Sequence, residues 1–162
     1  MSHCRMMDAS LVGNDLREFS YHLLNDKNFL PDVLLDTKKV METSQVVFSS
    51  SCQPFALVSS DNKLSGVFYI GDVIPGHDAT FYIWVWDGKA VNHKTLPFIR
   101  EYIEATAEEY GLCRVVARTP CKKLCHLLEH LGFLLEGRFK AGYKSRGKTM
   151  VLYQMRILFN RH

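Results

Sequence analysis

No apolar run in this chain is long enough to cross a bilayer. The longest, such as Phe81 to Trp86, fall well short of the ~20 residues that a spanning helix needs. The stretch from Met1 to Ser10 is polar and has no apolar h-region, so no secretory signal is expected. No CxxC pair occurs, and the cysteines (Cys4, Cys52, Cys113, Cys121 and Cys125) are odd in number. A disulfide framework is therefore not expected, and a cytoplasmic, reducing location is. A dominant charge is missing too. The chain has 20 Lys and Arg against 17 Asp and Glu, a net +3. That is too small to argue for general binding to nucleic acid or to a membrane. No internal repeat and no linker divides the sequence; the run Ser49 to Ser51 is too short to be one.

What is present is ordinary globular material: 162 residues, 47% hydrophobic and 23% charged. That is enough for one domain with a substantial core and hardly enough for two. The first third has helical spacing. Leu16, Phe19, Ser20, Leu23 and Leu24 follow Asn14 and Asp15, either of which suits an N-cap. A first helix is expected between Asp15 and Asp26. A second is expected between Pro31 and Thr43, with the proline in its first turn.

The period then shortens. Phe55 to Ser60 and Leu64 to Ile70 flank Asp61-Asn62-Lys63 as the arms of a hairpin. Pro75-Gly76 marks a turn, and Ala79 to Trp86 reads as a central strand rich in aromatic and β-branched residues. Leu96, Ile99, Ile103 and Tyr110 lie on the stripe of a long helix that Gly111 stops. Cys113 to Ala117 reads as a short buried strand. Thr119-Pro120 suits an N-cap and first turn, followed by a helix with Leu124, Leu127, Leu128 and Leu131 on one face, ended by Gly132. Phe133 to Tyr143 and Lys148 to Leu158 read as two long strands around Ser145-Arg146-Gly147. The expectation is an α/β (α+β) domain: one mixed central sheet with helices on both faces.

This element order, with the segment Leu131-Gly132-Phe133-Leu134-Leu135-Glu136-Gly137-Arg138 and the strand ending Met150-Val151-Leu152-Tyr153, resembles the GNAT superfamily of acyl-CoA N-acetyltransferases. The "LGF-x-x-EG" segment is similar to the branch that includes the ribosomal-protein N-terminal acetyltransferases. The resemblance extends from about Leu64 to Leu158. It implies a single GNAT-like domain over 1–162, with variable N-terminal helices over 1–45 and a core over 55–158. It also implies that acetyl-CoA, as co-substrate, lies in a V-shaped split between Ala79–Trp86 and Cys113–Ala117. The pyrophosphate would then sit at the N-terminus of the following helix, where unpaired amides and the dipole favour an anion.

The family's phosphate loop, Q/R-x-x-G-x-G/A, is degraded here. The matching stretch is Val91-Asn92-His93-Lys94-Thr95-Leu96, without either glycine or the leading Gln or Arg. Lys89, His93 and Lys94 bring side-chain charge to the same place, so phosphate binding by side chains and a solvated basic turn both fit the sequence. Lys122, beside Lys123 and Arg118, is a further candidate for a phosphate or for an acidic acceptor. The resemblance would put an Asn where Cys121 stands, and a tyrosine general acid where Leu128 stands.

Amide transfer from a thioester needs a neutral amine, a held thioester and a group that polarises its carbonyl. The polarising amide is expected near Val85 or Trp86. Asp87 is the nearest candidate base, with His77 or Asp78 behind it, although Asp87-Gly88 also reads as a plain turn. Cys121 at a helix N-terminus could carry an acyl group, because that position lowers a thiol pKa; a half-buried inert thiol is the ordinary alternative. Cys121 and Cys125, and His126 and His130, form two i,i+4 pairs that face different sides of the helix, so no metal site is expected. The leading expectation is an N-acetyltransferase that moves an acetyl group from acetyl-CoA to a primary amine, on a protein N-terminus or a small molecule. The rivals are a GNAT-like protein with a non-catalytic binding or structural role, of the kind carried by phages and mobile elements, and an acyltransfer toxin acting on charged tRNA. Pairing of two copies through the last strands is a further implication of the fold.

Overall fold

Aromatic and β-branched residues concentrate in the middle of the chain, and the sheet is built there. The structure, a computed structural model, describes residues 2–8, 14–25, 53–145 and 147–160. Its elements are β1 (His3–Met6), α1 (Asn14–Asn25), β2 (Phe55–Val58), β3 (Leu64–Gly71), β4 (Asp78–Val85), α2 (Thr95–Tyr110), β5 (Arg114–Thr119), α3 (Lys122–His130), β6 (Leu134–Ser145) and β7 (Lys148–Leu158). The helix expected over Pro31 to Thr43 lies outside the described residues. Among the described residues, no helix is long and apolar enough to cross a membrane.

The strands form one seven-stranded sheet in the order β1-β2-β3-β4-β5-β7-β6. Every neighbouring pair is antiparallel except β4 and β5, which run parallel. Parallel neighbours need a crossover, and α2 supplies it. Ile99, Ile103 and Ala107, four residues apart, are almost wholly buried on the sheet side of α2. Burying each of the two isoleucines is worth ~1.5–3 kcal/mol. Gly111 ends the helix in the left-handed region, at φ 63°, where a side chain would strain the backbone.

Two apolar layers cover the sheet. Leu57, Phe68, Phe81, Val115 and Met155 pack under α2 and α3. On the other face, Met7, Leu16, Phe19, Leu23, Val67 and Tyr69 pack with α1, flanked by Tyr82, Trp84 and Trp86. The alternation along β4 therefore sends Phe81, Ile83 and Val85 to one layer and Tyr82 and Trp84 to the other, as period-2 geometry requires. The mixed sheet with helices on both faces agrees with the sequence reading.

Three details differ from it. A strand, β1, forms where only a polar terminus is legible. Arg5 donates to both oxygens of the buried Asp15 at 2.9 and 2.8 Å, and the Asp8 N–H donates to it at 2.7 Å, clasping β1 to α1. The helix expected to begin with Thr119 and Pro120 starts at Lys122 with Cys121 as its N-cap residue. Thr119 instead accepts the Cys121 N–H through its Oγ1 at 3.0 Å, so the hydroxyl serves the turn ahead of the helix. Finally, β6 is bulged. Phe139 pairs with Leu152, but the next pair is Tyr143 with Met150, and Ala141 between them has φ 57°.

Candidate active site

β4 and β5 begin together and then part. They pair only as Asp78–Arg114, Ala79–Val115 and Thr80–Val116. Beyond that point each follows its outer neighbour. β4 stays on β3 as far as Val85–Gly66, and β5 stays on β7 as far as Thr119–Tyr153. The result is a split that opens toward the C-terminal ends of both strands.

Backbone alternation fixes what the split exposes. The Trp86 N–H donates to the Ser65 carbonyl at 2.8 Å. In the same antiparallel register, the polar groups of Trp84, Tyr82 and Thr80 also turn toward β3. Those of Val85, Ile83 and Phe81 turn the other way. β5 meets β4 no further than Thr80, so the amides of Ile83 and Val85 open on the split. Of the two amides expected to polarise a carbonyl, Trp86's is spent on the sheet and Val85's is directed into the gap.

A cleft of about 1160 Å³ occupies the split. That is somewhat above the usual range of about 300–1,000 Å³ for small-molecule sites. Val85, Trp86, Gly88, Val91 and Leu96 line it from the β4–α2 side, and Thr119 to Leu124 line it from the β5–α3 side. Among the residues singled out in the sequence, Val85, Trp86, Cys121 and Lys122 meet there. Asp87, Lys89, Asn92, His93, Lys94 and Thr95 do not line it. His77 and Asp78 lie at the paired end of β4, where the His77 carbonyl accepts the Cys113 N–H at 2.8 Å. The strand between them and the open end spans ~25 Å, out of reach of a group held there. Leu128, where the resemblance would put a tyrosine, is buried and lines the inner wall of the cleft.

The loop ahead of α2 is closed on itself. The Asp87 carboxylate accepts the Lys89 N–H at 3.0 Å, capping the short 3-10 turn Gly88–Ala90. The Asn92 Oδ1 accepts the N–H groups of Lys94 and Thr95 at 2.9 and 3.2 Å. The Asn92 N–H donates to Thr95 Oγ1 at 3.0 Å, and that hydroxyl donates to the Ala90 carbonyl at 2.7 Å. The Leu96 N–H goes to the Asn92 carbonyl. The amides that a helix N-terminus would offer an anion are thus held by the chain's own side chains. The side chains of Lys89, His93 and Lys94 are exposed around them.

The α1 face of the split carries side chains that the sequence reading passed over or left undecided. Tyr82 and Trp84 stack with Tyr69 at 4.8 and 6.0 Å, and His22 stacks on Trp86 at 4.4 Å. The Tyr82 hydroxyl donates to Asp72, and its pKa is pushed up to about 12, by burial first and then by that carboxylate. Arg118, His130 and Tyr143 also line the cleft. Only the i,i+2 aromatic spacing on β4 hinted at this wall. Nothing local in the sequence marks Tyr143, which lies just beyond the irregular register of β6.

No family model matches the chain, and no curated protein is similar to it in sequence. Solved structures do match. A spermidine N-acetyltransferase SpeG chimera from Vibrio cholerae and hSSAT superposes with a TM-score of 0.70 at 17% identity, over 97% of this chain and 95% of that one. A GNAT-family acetyltransferase from Streptococcus pneumoniae gives 0.68 at 20%, over 98% and 100%. A dodecameric spermidine N-acetyltransferase from Vibrio cholerae gives 0.67 at 18%, over 97% and 93%. At these identities the likeness is one of architecture: the chain has the fold of the GNAT acyl-CoA N-acyltransferases.

Proposed function

We propose that this protein is an acyl-CoA-dependent N-acetyltransferase acting on a primary amine. The observation that carries the reading is the split itself, a cleft between two parallel strands with the Val85 N–H directed into it. Acetyl-CoA as co-substrate supplies an activated acyl group. The chain's own contribution is to hold the thioester arm along the free edge of β4, with the Ile83 and Val85 amides as donors. The Val85 amide is the one placed to stabilise charge that develops on a carbonyl oxygen. The amine enters from the α1 face, where Tyr82, Trp84 and Trp86 form a flat wall. Tyr143, which lines the same cleft, is the proton donor to the departing thiolate.

The cleft fits the thioester arm better than the loop fits a pyrophosphate. With Asn92 holding two amides of α2, the diphosphate is gripped by the charges of Lys89 and Lys94 and by hydrogen bonding to His93, and from the other wall by Lys122. Asp87 acts as a turn cap rather than as the base, and the amine loses its proton to water. Cys121 remains a cleft-wall thiol, and direct attack by the amine does not require it.

The self-capped loop favours a second reading, a GNAT-fold protein that binds a ligand in the split without catalysis. One experiment separates them. The melting temperature is measured with acetyl-CoA and with free CoA, and candidate amines are then tested for acetylation. A ligand at ~100 times its Kd adds ~2.7 kcal/mol, a rise of several degrees for a domain of this size. No rise with either ligand would remove the transferase reading. A rise without transfer to any amine would favour the binding protein.

A further inference from the structure

We propose that Arg118 makes the amine pocket selective for an acceptor that carries a carboxylate, on a small molecule with a flat apolar body. The inference rests on the transferase reading above and narrows its substrate class.

Arg118 lies on the stretch of β5 that no longer pairs with β4. The last shared pair is Thr80–Val116, so Tyr82 and Arg118 are the next residues on the same face of the two strands. They flank the split from either side, and both line the cleft.

The guanidinium is held from behind. Its Nε donates to the Gln154 Oε1 at 2.8 Å, and the Gln154 Nε2 donates to the Glu136 Oε2 at 2.7 Å. The Glu136 charge is answered elsewhere, by Arg114 at 3.2 Å and Arg156 at 3.5 Å. Among the described residues Arg118 therefore has an amide partner on its inner nitrogen and no carboxylate partner at all. Its two outer nitrogens are a ready-made fork for a planar carboxylate.

Charge and shape together choose the occupant. A polyamine would bring several ammonium groups against an uncompensated guanidinium, which costs binding. An amine with a carboxylate a few bonds away satisfies Arg118 and leaves its amino group free. A flat apolar body packs against Tyr82 and Trp84, whose near-parallel rings offer area at little cost in side-chain entropy. An aromatic amino acid combines these features.

The test is binding measured by titration calorimetry with L-phenylalanine, with phenethylamine (the same ring and amine without the carboxylate) and with spermidine. Phenylalanine is expected to bind ~10–100-fold more tightly than phenethylamine, the range for a charge-assisted pair. Arg118→Gln is expected to bring phenylalanine to within about threefold of phenethylamine. Gln154→Leu, which keeps the charge but frees the side chain, is expected to weaken phenylalanine several-fold. Equal binding of the two probes, tighter binding of spermidine, no binding of phenylalanine at millimolar concentration, or an unaffected Arg118→Gln variant would each overturn the proposal. The acetyl-CoA melting response is read on the same samples. Carboxylate selectivity without that response would retire the transferase reading and keep the pocket. The response without selectivity would do the reverse.

Discussion

Replacing Asn92 with alanine tests the least expected feature of the site. From the sequence, a working phosphate loop implies that changing either Asn92 or Lys94 weakens CoA binding. The geometry gives the two residues opposite effects. Asn92 Oδ1 accepts two backbone amides at 2.9 and 3.2 Å and so caps α2. Loss of such a cap costs ~1–2 kcal/mol. For a 162-residue domain, with an unfolding entropy of ~2.1 cal/mol/K per residue, that lowers Tm by about 3–6 °C. The same change uncovers the Lys94 and Thr95 N–H groups at the positive end of the helix dipole, where an anion is favoured. The rise in Tm at saturating acetyl-CoA should therefore be at least as large in Asn92→Ala as in the unaltered protein. Lys94→Ala should show the reverse pattern, with little change in the ligand-free Tm and a smaller rise. The assay is differential scanning calorimetry over a series of acetyl-CoA concentrations. A ligand-free drop under 1 °C would refute the capping argument. Loss of the acetyl-CoA response in Asn92→Ala would show that the carboxamide itself grips the ligand.

Four further substitutions probe separate links. Val85→Pro deletes an N–H that faces the split and takes no part in pairing with β3, so the protein should fold while kcat falls ~10²–10³-fold; an unchanged kcat would exclude that amide from catalysis. Tyr143→Phe should lower kcat by ~10²-fold or more with little effect on KM for acetyl-CoA, in a steady-state assay. Gly66→Ala would set a Cβ 2.5 Å from the Trp84 carbonyl oxygen and 2.8 Å from Leu57 Cδ1, costing ~1–3 kcal/mol in chemical denaturation. Asp15→Asn should cost about 2 kcal/mol at neutral pH. The hydrogen bonds from Arg5 hold the Asp15 carboxyl below its usual pKa. Its contribution is therefore full above the unfolded value of ~3.9 and is lost as pH falls through the lower folded value, so the gap between the two proteins should close below about pH 4.

Legibility divided along physical lines. Helices α2 and α3 were readable because burial imposes a 3.6 period and the glycines at 111 and 132 mark their ends. Strand β4 was readable because it is dense in aromatic and β-branched residues. β1 was not, because an edge strand of four residues, His-Cys-Arg-Met, buries too little to show a period; it is held by its pairing with β2 and by Arg5 on Asp15. At the site, the position of the split could be inferred from the resemblance, and Val85, Trp86, Cys121 and Lys122 do line the cleft. The self-capping of Asn92 and Thr95 could not be foreseen, since it depends on where two side chains point within a turn. Arg118 could be named only as one charge in a basic flank. Its neighbours Gln154 and Glu136 are far away in sequence and reach it through the β5–β7–β6 ladders.

The split is built to stay open. Closing it would require β4 to leave β3 or β5 to leave β7. Each of those ladders has six paired positions, running to Val85 and to Thr119. The N-terminal ends of β4 and β5 are pinned as well, because the His77 carbonyl takes the N–H groups of both Cys113 and Arg114. The strands thus diverge at an angle set by their outer partners, and the cleft costs no rearrangement when a ligand enters. Among the described residues, no strand pairs with the free edge of β4, since β5 has moved out of reach, and its amides are open to water or a ligand. An extended arm with carbonyl oxygens spaced along it satisfies them as a neighbouring strand would, by the logic of β-strand addition. Recognition of that arm then depends on main-chain geometry rather than on side-chain identity. A chain 17–20% identical to the acetyltransferases compared above can therefore keep the same sheet with different side chains along it. On the proposed reading, selectivity for the amine falls instead to side chains on the α1 face, Arg118 and the aromatic wall, where sequence is free to change without disturbing the split.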